Sequence, residues 1–334
     1  MEQELALSVI VPVYNVAPYL RDCLDSLISQ GFSEGEYEVI VVDDGSTDDS
    51  LAIIQRYARN HSCIRCVHQS NEGVSAARNT GMAYASGACL AFVDGDDFLI
   101  AGALKKICDE AIRRDADMIT YEFMRLEESA QFRSVESKDE FIFLNNETGR
   151  ARSTASACGS LYRRSIISEN QLCFPVEMKY AEDCLFAGMV SMLIRAEKQV
   201  FCSTKVYGYR QRKNSALHTK TRDSMTRRVK DRMTAIDLWN DFLFEVEDLS
   251  EDKKQEVQKR KYRLAALACL ESLRSMEMDP YQVRDILKRK QVYPYPYMTD
   301  LLCPPGNAAN LIMFFLNNSA VFHIIAKTGL LRGR

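Results

Sequence analysis

The sequence predicts an α/β protein: a mainly parallel sheet flanked by helices, with a helical region at its carboxyl end. Three observations carry that expectation. Short β-branched runs alternate with helical patterns through roughly the first hundred residues, the order expected of parallel strands joined by crossover helices. Three of the expected strand ends carry clusters of Asp, Tyr or Pro, and in such sheets ligands gather beyond the carboxyl ends of strands. After about residue 216 the alternation stops and long helical patterns rich in Lys, Arg and Glu take over.

Residues 7–14 form a β-branched run that closes on Pro12-Val13-Tyr14-Asn15. Pro18 opens a helix whose Leu20, Leu24, Leu27 and Ile28 recur at helical spacing. A second strand, 37–42, closes on Asp43-Asp44-Gly45-Ser46, and Ser46 or Thr47 caps a helix over 48–59. Residues 64–68 read as a short strand, 74–84 as a small-residue helix, 89–93 as a fourth strand and 101–114 as the helix after it. Farther on, 118–123, 155–162 and 205–212 read as strands and 182–195 as a helix, while 125–150 is polar and has no clear period. Two long helical patterns, 221–246 and 252–276, precede a Pro-rich break at 293–306.

The chain has 334 residues, 46% of them hydrophobic, which suits two or three units with real cores. A net charge of −3 gives no basic excess, which argues against bulk nucleic-acid binding. The acidic start Met1-Glu2-Gln3-Glu4 lacks the pattern of a signal peptide, and no apolar run reaches the length of a membrane span, so a cytoplasmic protein is expected. Eleven cysteines, an odd number scattered through apolar segments, fit reduced thiols. Cys63 and Cys66 have C-x-x-C spacing, but with no second pair they make neither a zinc set nor a redox motif.

The densest chemical signal is Asp94-Gly95-Asp96-Asp97, directly after the apolar run Cys89-Leu90-Ala91-Phe92-Val93. Carboxylates this close repel unless a cation sits among them, and hard oxygen ligands in a small loop suit Mg²⁺ or Mn²⁺. Those ions commonly arrive with phosphate oxygens, which points to a nucleoside diphosphate; a solvated turn is the plainer alternative. The turn after the first strand lacks G-x-G-x-x-G and so is not a dinucleotide fingerprint. It offers Pro12 and Tyr14 instead, and a Tyr there can face a base or simply pack over the first helix. Asp43 and Asp44 can accept from a base N–H or a ribose hydroxyl, or else cap a turn. Arg78, on the small-residue helix, is placed for phosphate or ribose contact or for solvent.

Taken together, Val9-Ile10-Val11-Pro12-Val13-Tyr14-Asn15, Val41-Val42-Asp43-Asp44-Gly45-Ser46-Thr47-Asp48, Asn71-Glu72-Gly73 with Ala77-Arg78-Asn79, and Asp94-Gly95-Asp96-Asp97 resemble, in order and spacing, the family 2 glycosyltransferases of GT-A fold. Glu182-Asp183-Cys184-Leu185-Phe186 resembles that family's E-D-x-x-F element; alone it would read as an acidic first turn of a helix. Leu161-Tyr162-Arg163-Arg164 and Tyr207-Gly208-Tyr209-Arg210 through Asn214-Ser215 resemble flanking segments of the bacterial surface-polysaccharide branch, with Ser160 where that branch often has Lys.

The resemblance implies hexosyl transfer with inversion from a nucleotide-sugar, a UDP-sugar by expectation, to a saccharide or lipid-linked saccharide acceptor. It implies Asp183 as the catalytic base, and Pro12, Tyr14, Asp43, Asp44, Arg78, Asp94 and Glu182 at the donor. Asp96 would ligate Mn²⁺ or Mg²⁺ directly, Asp94 would meet the ribose or the metal's water shell, and Asp97 is a third metal candidate. Residues 1–115 would form the nucleotide-sugar half, 116–215 the acceptor half and 216–334 a helical extension. Two rival readings are a haloacid-dehalogenase-type phosphohydrolase, for which residues 9–15 offer no aspartate pair, and a non-catalytic nucleotide-sugar binding module. The apolar tail 310–334, interrupted by Asn317-Asn318-Ser319 and ending in Lys327, Arg332 and Arg334, fits either a helix lying on the inner face of the cytoplasmic membrane or one docked on the protein or in a homodimer contact.

Overall fold

The computed structural model describes residues 5–132, 141–145, 156–212, 221–275, 277–294, 316–328 and 331. Asn214, Ser215, most of the Pro-rich break, residues 310–315 of the tail, Arg332 and Arg334 lie outside them. The chain divides into two compact units, Met1–Val176 with Ala181–Ser215, and Glu177–Tyr180 with Ala216–Arg334.

The first unit begins β1 (Leu7–Val13), α1 (Ala17–Ile28), β2 (Tyr37–Asp44), α2 (Ser50–Asn60), β3 (Ile64–Gln69), α3 (Val74–Tyr84), β4 (Cys89–Phe92). It continues β5 (Phe98–Leu99), α4 (Ala103–Arg114), β6 (Met118–Glu127), β7 (Phe143–Asn145), β8 (Ser160–Arg163), α5 (Arg164–Glu169), α6 (Glu182–Leu193) and β9 (Gln199–Gln211). The strands form one sheet in the order β3-β2-β1-β4-β8-β6-β9-β5, with β7 pairing another stretch of β9. The first four are parallel. β8 then runs antiparallel between β4 and β6, and β9 lies parallel to β6.

β1 sits between β2 and β4 and every one of its residues is buried, which is why its sequence is a continuous apolar run rather than an alternating one. α3 can lie close over it because residue 81 is glycine: a Cβ there would stand 2.4 Å from Ile10 Cγ2. α4 stops at Asp115, whose left-handed backbone (φ 49°) turns its N–H back to the carbonyls of Ala111 and Ile112.

Several elements differ from the sequence reading. Ala157–Gly159 is a 3₁₀ turn, begun by the Ser156 side chain accepting from the Cys158 N–H, so β8 starts only at Ser160. β9 begins at Gln199, well before residue 205. β5 and β7 are too short to show a period, and a helix over Pro280–Arg289 in the second unit is hidden behind the Pro signals that follow it.

The second unit holds α7 (Arg222–Glu245), α8 (Glu251–Ser275), α9 (Pro280–Arg289) and α10 (Ser319–Thr328). Asp279 starts α9 by accepting from the Tyr281 N–H at 3.0 Å, with Pro280 at the first helical position. Val229, Ile236, Ala265, Cys269, Leu273, Val283, Leu287 and Phe322 build the core. Asp231, buried on α7, accepts from the amides of Lys179 and Tyr180 at 3.0 Å each and so ties segment 177–180 to that helix.

The interruption expected at Asn317-Asn318-Ser319 is a helix start: Asn318 Oδ1 accepts from the amides of Ala320 and Val321, both at 3.1 Å. α10 buries Phe322, Ile325 and Ala326 in the unit's own core, which is the docked arrangement; Ile324 and Lys327 face outward. Among the described residues no helix is long and apolar enough to cross a membrane.

Candidate active site

The loops after β1 and β2 are laced together. Asn15, in the left-handed region (φ 52°), donates its N–H to Ser46 Oγ at 3.1 Å, and its Oδ1 accepts from the Thr47 amide at 2.8 Å. The amides of Val16 and Ala17, at the start of α1, donate to Ser50 Oγ at 3.1 Å and to Asp48 Oδ2 at 3.0 Å. The Ser-Thr-Asp-Asp-Ser run thus supplies the capping oxygens that α1 lacks in its own sequence. Pro12 is buried in β1, and Tyr14, beyond the strand, is half exposed at 49%.

Asp43 and Asp44 do different work, because successive strand residues point to opposite sides. Asp44 accepts from Gln69 Nε2 at 2.8 Å and from the amides of Glu72 and Gly73 at 2.9 Å each, so it builds the 71–73 loop rather than presenting an open acceptor. Asp43 shares a 2.7 Å hydrogen bond with His68 Nδ1 through Oδ2, while its Oδ1 is buried without a partner. Three further buried polar atoms in the same unit lack a partner: Ser75 Oγ and Arg78 Nε on α3, and the Tyr121 hydroxyl on β6. A buried group left in that state costs about 1–3 kcal/mol, so such atoms mark where a bound molecule would be welcome.

The Asp94–Asp97 turn is held from below. Gly95 lies against β1: a Cβ there would stand 3.0 Å from Val13 Cγ2 and 3.2 Å from the Pro12 carbonyl. Asp97, 1% exposed, accepts from the Tyr207 hydroxyl and from the Arg210 amide, each at 2.8 Å. Burial, then Asp96 and Asp94, push its carboxyl well above the usual range. Arg210 completes the clamp, donating Nε to the Asp96 carbonyl at 2.9 Å and pairing with Asp22 at 3.1 Å. Asp97 is therefore engaged in anchoring β9. Among the described residues no group of three or more His, Cys, Asp or Glu is arranged to hold a metal ion.

Asp94 and Asp96 each meet an arginine. Asp96 pairs with Arg212, and burial followed by the Asp94 charge pushes its carboxyl up. Asp94 accepts from Arg78 at 2.8 Å. Arg78 is only 3% exposed, stacks against Phe174 at 5.2 Å, and reaches Glu182 at 3.1 Å with its other terminal nitrogen. Burial works against its charge, but Asp94, Glu182 and Asp183 hold it firmly protonated.

One buried guanidinium thus joins the turn after β4 to the first turn of α6. The apolar member of Glu182-Asp183-Cys184-Leu185-Phe186 explains how α6 arrives there: Phe186 is buried, stacks on Phe174 at 4.0 Å and meets Phe92 of β4 edge-on at 5.7 Å. Asn79 fixes Phe174 in turn, exchanging two 2.8 Å hydrogen bonds with its backbone. Burial, then Asp183, push Glu182 up to about 7 against the pull of Arg78. Asp183 is half buried, with Oδ1 accepting from the Cys184 amide at 2.8 Å.

The profile of "Glycosyl transferase family 2" matches residues 8–170. The glycosyltransferase EpsJ of Bacillus subtilis, itself uncharacterised, is 30% identical over 237 residues, which cover 69% of this chain and 68% of that protein. The chain belongs to glycosyltransferase family 2. Among solved structures it is similar to the TarS 1-349 fragment from Staphylococcus aureus, with a TM-score of 0.62, 20% identity and coverage of 97% and 91% of the two chains. That fragment has also been solved with UDP and with UDP-GlcNAc. A mannosyltransferase from Pyrobaculum calidifontis, solved with GDP-Man and Mn²⁺, matches at a TM-score of 0.54 and 17% identity, over 98% of this chain and 87% of that one. The fold is therefore GT-A with a carboxyl-terminal helical region.

His68, Cys158, Tyr207, Arg210 and Arg212 escaped the sequence reading as members of the site. Tyr207 and Arg210 stood inside a segment that the family resemblance had marked. His68 and Cys158, the latter a fully buried thiol near Asp94, Arg78 and Asp183, carry no local signal in the sequence.

Proposed function

We propose that this family 2 enzyme transfers a sugar with inversion, from a UDP-sugar to a hydroxyl of a saccharide or lipid-linked saccharide. The observation that carries the reading is the Arg78 bridge, which brings the E-D-x-x-F element and the Asp94–Asp97 turn to one place. Asp43 Oδ1, an acceptor without a protein donor, suits a base N–H such as that of uracil. The UDP and UDP-GlcNAc complexes of TarS support the choice of nucleotide.

Asp183 takes the proton as the acceptor oxygen attacks the anomeric carbon. The bond from that carbon to the diphosphate oxygen breaks, and its electron pair leaves with the nucleotide. Arg78 holds Glu182 in the same helical turn as Asp183, which fixes the base relative to the donor side. Asp94 and Asp96 would hold a Mg²⁺ or Mn²⁺ ion, since a pair of carboxylates completed by phosphate oxygens is a usual arrangement for such ions. When bound, that ion supplies Lewis-acid stabilisation of the departing diphosphate. A lipid-linked acceptor would bring the enzyme to the inner face of the cytoplasmic membrane, with Ile324 and Lys327 on the outward side of α10.

Incubation with a panel of UDP-sugars, Mn²⁺ and oligosaccharide acceptors tests the reading. UDP should be released with at least one donor, and EDTA should stop the release. Release of phosphate from p-nitrophenyl phosphate without UDP release, or UDP release unaffected by EDTA, would contradict it.

A further inference from the structure

The two carboxylates assigned to the cation each hold an arginine, and the two arginines are of opposite kinds. Arg78 has a side chain only 4% exposed, and it is locked between Asp94 and Glu182. Arg212 is 26% exposed and pairs with Asp96 just beyond the end of β9. Its guanidinium lies 5.4 Å over the Tyr19 ring, so it rests on an aromatic face rather than in a cage of acceptors. Two residues back, Arg210 is buried and anchored to Asp97, the Asp96 carbonyl and Asp22. That anchorage fixes the backbone from which Arg212 projects, while leaving the Arg212 side chain free to exchange partners.

We propose that Arg212 is a resident counter-ion that competes with the divalent cation for Asp96 and, once displaced, binds the diphosphate of the donor. The proposal rests on the donor reading given above. A dication reaching Asp96 must share or replace a guanidinium already on that carboxylate, and like charges at one oxygen repel. The released fork of N–H donors matches phosphate oxygens, which it binds in pairs. The exchange leaves Asp96 with a cation throughout and gives the incoming diphosphate a cationic partner. Cation and nucleotide then bind cooperatively: the diphosphate offers Arg212 its new partner, and the cation frees Arg212 to take it. Metal affinity is held low until the nucleotide is present.

The test is a titration of Mn²⁺ onto the full-length protein, following free Mn²⁺ by electron paramagnetic resonance, with and without saturating UDP. Without nucleotide, Arg212→Ala should bind Mn²⁺ about tenfold more tightly than the wild type, and UDP should enhance Mn²⁺ binding about tenfold less, the usual size of a coupling between two ligands. Arg212→Lys, which keeps the charge but loses the fork, should stay near the wild type without nucleotide and lose part of the UDP enhancement. Adding Asp96→Ala to Arg212→Ala should abolish the gain, which ties the effect to that carboxylate. Unchanged or weaker Mn²⁺ binding by Arg212→Ala without nucleotide, with UDP binding intact, would overturn the counter-ion role and leave the donor reading standing. Tighter Mn²⁺ binding with no UDP binding by either protein would overturn the diphosphate role together with the donor reading, and support competition at Asp96 alone.

Discussion

Asp183→Asn should lower sugar transfer by roughly 10²-fold or more while leaving UDP affinity almost unchanged, the usual scale for removal of a general base. The substitution keeps the shape of the side chain and its acceptor for the Cys184 amide, so α6 keeps its first turn. The loss therefore reports proton transfer rather than folding. The measurement separates two roles: initial rates with saturating donor and acceptor give turnover, and calorimetric titration with UDP gives nucleotide affinity. Loss of UDP affinity with unchanged turnover would move Asp183 to the donor site and leave the reaction without its base.

Arg78→Met should destabilise the protein strongly and weaken donor binding. The side chains of Arg78 and Glu182 are 4% and 9% exposed, and removing one member of such a buried pair costs about 3–5 kcal/mol, because the other charge is left unpaired. Methionine fills most of the volume, so lost packing contributes little. The deficit should depend on pH in a particular direction. Glu182 is raised from 4.5 to about 7 in the folded protein, so its contribution to stability is fully present below 4.5 and is lost as the pH rises through about 7. Arg78 favours the ionised form of Glu182; without it, the unpaired carboxylate costs most at high pH. Urea unfolding at pH 5 and pH 8 should show the variant's deficit growing between the two. An equal deficit at both would mean that the Arg78–Glu182 pair carries no weight in stability.

Much of the candidate site was legible in sequence because its residues lie in contiguous segments near strand ends. Asp43, Arg78, Asp94 and Asp96 each sit in a short motif, and a parallel sheet gathers such ends on one edge. Adjacent residues within a motif were separable only in part. The resemblance ranks Asp96 ahead of Asp97 but leaves Asp43 and Asp44 equivalent, and only the structure shows that Asp44 and Asp97 are engaged by backbone amides and hold a loop or a strand in place. Arg210 and Arg212 lie in a segment that the resemblance marks, but their place beside the Asp94–Asp97 turn was not legible, because β9 reaches that turn only through long-range pairing with β5 and β6. His68 reaches Asp43 in the same way, through the parallel register of β2 and β3. Helix α10 shows the limit of composition: an apolar stripe beside basic residues suits lipid and protein equally, and what decides is whether Phe322 finds a core.

The most direct measurement for the central claim is the anomeric configuration of the product made from an α-linked UDP-sugar such as UDP-GlcNAc, read by NMR from the coupling of the new anomeric proton. A single displacement assisted by Asp183 from the face opposite the diphosphate predicts a β-linked product. An α-linked product, or a sugar trapped covalently on the protein, would contradict it.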